Sequence, residues 1–124
     1  MASSPTENAQ QRLASEKNIW IASVKAGGGA HLVPVWFAWH NGRIYVCIEP
    51  ESVKARNMRQ EPKVSLALED GTNSVVCAGT AAVAPDPWPD EVCAIFQRKY
   101  EWDIRAETQY TQLTAIAPER WWSW

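Results

Sequence analysis

Asn41-Gly42 falls between two apolar runs, His31 to Trp39 (HLVPVWFAW) and Arg43 to Ile48 (RIYVCI). An Asn-Gly pair tolerates the positive φ angles of a two-residue hairpin, so this is the strongest short-range hairpin signal in the chain. It commits the middle of the chain to antiparallel pairing. The first run is almost wholly apolar, which predicts cover on both faces. Pro34 inside it cannot donate to a ladder, so this strand needs an edge, a bulge or a neighbour that is not a strand.

Further strands are predicted over Ile19 to Lys25 and Lys63 to Glu69, where Val64, Leu66 and Leu68 recur with period two on one face. Two more are predicted over Ser74 to Val83, with Gly79 as a bulge or close-approach site, and over Tyr110 to Ala117, ended by Pro118. Gly27-Gly28-Gly29 and Asp70-Gly71 read as turns. The glycine run has neither the G-x-G-x-x-G nor the Walker spacing, and no helix follows it, so it is not a nucleotide-binding loop. Ser4, Pro5 and Glu7 look like a capping box opening a surface helix to about Lys17. Ser52 is the expected N-cap of a short helix through Val53 and Arg59, stopped by Pro62. Asp90 is the expected cap of a helix over Glu91 to Tyr100. Six strands with hairpin connections and three helices predict a mainly β fold, an antiparallel sheet or small barrel with peripheral helices.

A chain of 124 residues is one domain, here residues 1–124, with a helix in 1–18 and the sheet in 19–124. Its hydrophobic content of 46% excludes disorder as the main state. No apolar run approaches the ~20 residues of a membrane span, and the polar start MASSPTENAQQ carries no signal-peptide core, so no membrane partner and a cytoplasmic location are expected. Cys47, Cys77 and Cys93 are odd in number and have no C-x-x-C spacing, which argues against disulfides and a metal site. The net charge of -2 argues against nucleic acid as a partner. Residues 1–62 hold seven basic and five acidic side chains, whereas residues 63–124 hold five and nine, so a small anion belongs in the first half.

Eight tryptophans are many for a chain this small, and burying all eight would leave many indole N–H groups to satisfy. Some are expected at an interface or a ligand pocket. The clearest chemical constellation is Ser52, Lys54 and Arg56 at a helix start, where unpaired N–H groups, a hydroxyl and two cations suit a phosphate. A solvated basic turn offset by Glu49, Glu51 and Glu61 has the same spacing. His31 and His40 lie in no triad or metal spacing, and the cysteines read as small core residues. The chain offers an anion cradle and many aromatics but no catalytic side chain, which suits a protein whose chemistry is carried by a bound cofactor.

The run from His31 to Ala81 holds P-V-W-F, a hairpin turn, S-V-K-A-R-N-M-R, x-P-x-V-S-L and G-T-A in that order. The tail adds Arg98-Lys99-Tyr100-Glu101-Trp102 and a strand through Ile116-Ala117-Pro118-Glu119-Arg120. In this order they resemble the pyridoxamine 5'-phosphate oxidase-like family of FMN-binding split barrels, nearest its short flavin/deazaflavin branch, over residues 19–124. The resemblance implies a six-stranded antiparallel split β-barrel that forms a homodimer with flavin in clefts between the subunits. It implies an oxidoreductase that passes hydride through flavin N5, from a reduced nicotinamide, NAD(P)H, to a small-molecule acceptor. Ser52, Val53 and Lys54 match the family's phosphate turn. Val33, Pro34, Val35 and Trp36 match the strand along the isoalloxazine ring, and Cys47 and Ile48 the neighbouring strand end. Ser74 falls at a polar ring contact, and the C-terminal aromatics would reach the partner's cleft. F420 is the alternative cofactor, with Lys54, Arg56 and Arg59 for its longer tail. A flavin or tetrapyrrole carrier or sensor without turnover is the third reading. Two departures stand out. The arginine that opens the family's second strand is replaced by Leu32, leaving Arg56 to supply that charge. The basic C-terminal part is missing, so the pyridoxamine phosphate oxidase reaction itself is not implied.

Overall fold

The structure, a computed structural model, describes residues 2–123. The first helix, α1, spans Glu7–Ser15, starting later than the capping box suggests. Thr6 is its N-cap, because its Oγ1 takes the Ala9 N–H at 3.1 Å. Its apolar positions are few, but Ala9 and Leu13 lie one turn apart and are both fully buried, so the helix is docked on the core.

Seven strands follow instead of six: β1 (Ile19–Val24), β2 (Ala30–Val35), β3 (Ala38–His40), β4 (Arg43–Ile48), β5 (Lys63–Leu68), β6 (Val75–Val83) and β7 (Gln112–Ser123). The extra strand arises because the run around Pro34 divides at Trp36-Phe37. All pairings are antiparallel, in the order β2-β1-β5-β6-β7-β4-β3. The two edges of the sheet, β2 and β3, are therefore consecutive in the chain. Val35 and Ala38 are at most about 11 Å apart, the reach of three extended residues, so the edges must approach one another there. The sheet curls into a barrel that is split at this seam. Pro34 sits on edge strand β2, where a missing donor is least costly.

The Asn41-Gly42 hairpin joins β3 to β4 with φ angles of 54° and 77°. Pro118 does not end β7. The register slips between Ala78 and Gly79, so that Gly79 faces Pro118 and Ala78 faces Arg120. Any side chain at Gly79 would lie 2.4 Å from the Ala117 carbonyl oxygen, which is why only glycine fits this bulge. β7 then continues, and Trp121 becomes a core residue at 4% exposure, edge-on to Trp39. It does not reach outward as the C-terminal aromatics were expected to. Trp122 is half-buried on the opposite face, and Trp124 lies outside the described residues.

The second helix, α2, spans Val53–Gln60, and the third, α3, Asp90–Tyr100. Asp90 is the first helical residue rather than a side-chain cap; it pairs with Arg105 at 2.7 Å, and Pro89 precedes the helix. The barrel core holds Ile19, Ile21, Phe37, Ile44, Val46 and Ile116 among others. A second core lies under α3, where Val92 and Phe96 cover Tyr45, Cys47 and Leu113. β4 is thus buried on both faces, as its continuous apolar sequence requires. No helix among the described residues is long and apolar enough to cross a membrane.

Candidate functional site

A cavity of about 480 Å³ opens at the split, within the size range of small-molecule sites. Pro34, Val35 and Trp36 line it from the end of β2, and Cys47, Ile48 and Glu49 from the end of β4. Lys54 enters from the first turn of α2, and Trp102 and Tyr110 come from the segment between α3 and β7.

The polar end is built locally. Ser52 Oγ accepts the Ala55 N–H at 3.3 Å and donates to the Glu49 carbonyl at 2.8 Å, so one hydroxyl ends β4 and starts α2. That turn brings Lys54 back to the cavity. Its ammonium is half-buried and makes no ion pair or hydrogen bond among the described residues. Burial pulls its pKa below the ordinary lysine value, and the Glu49 carboxylate partly restores it. A cation stripped of part of its water at a helix N-terminus favours an anionic ligand group.

The apolar end is aromatic. Trp36 stacks on Tyr100 with centroids 4.5 Å apart and planes 7° apart, and meets Trp102 edge-on at 5.8 Å. Trp36 is still 49% exposed and Tyr110 38%, so both present surface to a ligand. Trp102 is set by Glu101, whose left-handed backbone (φ 51°) turns the chain off α3. Glu107 then accepts the Trp102 Nε1–H at 2.9 Å, and this bond holds the Glu107 carboxyl below its usual pKa.

Of the expected residues, Pro34, Val35, Trp36, Cys47, Ile48 and Lys54 meet in this cavity. Ser52 and Val53 stand beside it at the α2 N-terminus; Ser52 acts through its capping bonds and Val53 is exposed. Val33 does not line it; it packs on the barrel core on the same face as Val35, but one residue pair farther from the end of β2. Arg56 is exposed and off the cavity wall, two residues and so about 200° round α2 from Lys54. Arg59 is bound to the Pro50 carbonyl at 3.0 Å. Ser74 is buried in the turn after β5, donating to the Gly71 carbonyl at 3.3 Å. Glu49, Trp102 and Tyr110 were not anticipated. Glu49 had a local signal, its place at the strand end just before Ser52, and Trp102 stood in the tail motif Arg98-Lys99-Tyr100-Glu101-Trp102.

Cys47 donates its S–H to the Tyr110 carbonyl at 3.2 Å. Burial, then the Glu107 carboxylate and Cys93, push its pKa up to about 12, so it stays a protonated wall residue at neutral pH. His31 and His40 do not line the cavity, and the described residues contain no cluster of three metal-ligating side chains.

The sequence matches the family described as pyridoxamine 5'-phosphate oxidase over residues 5–124. The chain belongs to that family. This pyridoxamine 5'-phosphate oxidase-family chain is similar in structure to the heme storage protein HutZ from Vibrio cholerae (TM-score 0.79, 19% identity, 94% of this chain and 93% of that one). It is also similar to an F420 reductase (TM-score 0.75, 17% identity, 95% and 98%). A FAD-binding protein from Mesorhizobium loti gives a TM-score of 0.70 at 18% identity, over 94% and 92% of the chains. At such identities these neighbours show a shared fold. No functionally curated protein matches the sequence.

Proposed function

We propose that this chain is an FMN-binding oxidoreductase that works as a homodimer and serves a small-molecule acceptor, with NAD(P)H as hydride donor. The observation that carries the reading is the cavity's two ends. A half-buried ammonium with no partner among the described residues, at a helix N-terminus, faces aromatic side chains across one space of about 480 Å³. An aromatic ring system joined to a phosphate by a short chain has that polarity. Lys54 and the start of α2 would hold the phosphate, while Pro34, Trp36 and Tyr110 would flank the ring. When bound, the flavin supplies the redox chemistry, taking up and releasing hydride at N5. The protein's part is to bind, orient and exclude water, since the lining holds no histidine and its one thiol stays protonated.

The outer face of the sheet supports the dimer. The registers place Pro34, Trp20, Ala67, Val76 and Trp122 side by side across five neighbouring strands. An apolar row with two indoles suits burial against a second copy. Pro34 belongs to both this row and the cavity wall, so a partner seated there borders the site.

F420 is the second reading. It is favoured by the charge on the outer side of α2, where exposed Arg56 extends the basic surface beyond Lys54. A tetrapyrrole carrier has less support, because neither His31 nor His40 reaches the cavity to ligate iron.

The deciding experiment is mass spectrometry of the ligand released when the purified protein is denatured, with light scattering at micromolar concentration. FMN and a dimer mass are expected. F420 selects the second reading, a tetrapyrrole the third, and a monomer removes the shared cleft.

A further inference from the structure

We propose that Tyr100 is a positioning residue that fixes Trp36 as a wall of the ligand cavity, through its hydroxyl on the backbone of Phe37 and its ring on the Trp36 indole. The inference rests on the flavin reading for its ligand but on this chain's own geometry for its substance. Trp36-Phe37 is the link between the two edge strands, so these residues have no neighbouring strand to bond. Phe37 is nevertheless completely buried. Its backbone polar groups must find partners within the protein.

Both partners come from the last two residues of α3. The Phe37 N–H donates to Tyr100 Oη at 3.0 Å, and the Lys99 ammonium donates to the Phe37 carbonyl at 2.9 Å. The Tyr100 hydroxyl has one proton to give. It lies 2.8 Å from the Lys17 carbonyl and 3.2 Å from that of Phe37. Lys17 in turn donates its ammonium to the Lys99 carbonyl. Three remote segments, the α1–β1 link, the seam and the end of α3, meet at one phenol.

The ring of the same tyrosine carries Trp36. Its near-parallel stack holds one face of the indole, while Trp102 meets it edge-on. A half-exposed tryptophan on an unpaired link would otherwise sample several rotamers. Hydroxyl and ring together restrict backbone and side chain at adjacent positions, so the aromatic wall is preorganised before a ligand arrives.

The test uses Tyr100→Phe, which keeps the ring, and Tyr100→Leu, which removes ring and hydroxyl, each also in a Trp36→Phe background. Far-UV circular dichroism and the melting temperature establish folding. The ligand-free readout is the tryptophan band of the near-UV circular dichroism, at wavelengths beyond tyrosine absorption. Dissociation constants for FMN and riboflavin are the second readout. Tyr100→Phe is expected to change this tryptophan band and to weaken both flavins alike, by roughly tenfold, equivalent to about 1.4 kcal/mol. Tyr100→Leu should weaken them further, and both effects should vanish when Trp36 is already replaced. A lower melting temperature with an unchanged tryptophan band and unchanged affinities would show a purely structural tyrosine and overturn the proposal. If the wild-type protein takes up neither flavin, the flavin reading fails, and the near-UV arm still decides the positioning role.

Discussion

The two ends of the cavity are built in opposite ways. The Lys54 end is made within a few residues of chain, by a serine that closes one element and opens the next. The Trp36 end is assembled from residues far apart in sequence: Phe37 is bonded by Tyr100 across 63 positions, and Trp36, Trp102 and Tyr110 converge by aromatic packing, with Trp102 held on Glu107 and the Tyr110 carbonyl on Cys47. A locally built end should survive changes elsewhere in the barrel. An end built from distant parts should respond to any change that loosens the seam.

The largest expected effect separates neighbouring residues at that seam. Phe37→Ala should cost ~3–5 kcal/mol in chemical unfolding, as large core truncations do. Trp36→Ala should cost no more than about 1–2 kcal/mol, because half of its side chain is already in water, while changing bound-flavin fluorescence. Equal destabilisation by the two, with the flavin signal intact, would break the distinction between wall and core.

At the local end, Lys54→Ala should weaken FMN by roughly 1.5–3 kcal/mol in a fluorescence titration and riboflavin much less, since only FMN brings the phosphate. Equal losses for both would move the phosphate away from α2. Ser52→Ala should cost about 1 kcal/mol of stability through the lost cap and weaken FMN in the same selective way. A riboflavin loss as large as the FMN loss would mean that the two ends are not independent.

The smallest effect is a pH dependence written into the seam. Burial, then the neighbouring Lys17, lower the Lys99 pKa to about 8 from the ordinary 10.5. Between those values the folded chain has released a proton that the unfolded chain keeps, so stability rises with pH from about 8. Buried Cys47 and Cys77, each raised to about 12 from 9.0, act in the opposite direction once unfolded thiols ionise. Stability should therefore climb from about pH 8 and turn down above about pH 9. Lys99→Met should remove the climb and leave the decline, as followed by urea midpoints across that range. An unchanged climb in the variant would place its origin outside the seam.

Much of the architecture was legible because its signals are local. Asn41-Gly42, Ser52, Asp70 and Gly79 each state a local need that few other residues meet, and each sits where that need is present. The errors fall where a distant partner overrides a local rule. Pro118 looked like a strand end, but the bulge opposite Gly79 lets β7 run past it. The run from His31 to Trp39 looked like one strand, yet the curl of the sheet requires it to serve both edges. Arg56 looked as eligible as Lys54, and only the rotation of α2 against the barrel puts one at the cavity and the other in water.

The sequence by itself determined the antiparallel sheet, the placement of most turns and the helix start that presents Lys54, because hydrophobic alternation, turn chemistry and capping act over a few residues. Tertiary structure alone decided which aromatics join Trp36 in the wall. Trp36, Trp102 and Trp121 are the same residue type. One lines the cavity half-exposed, one lines it anchored on Glu107, and one fills the core. That assignment depends on sheet curl, strand register and the docking of α3, quantities set by the whole chain at once.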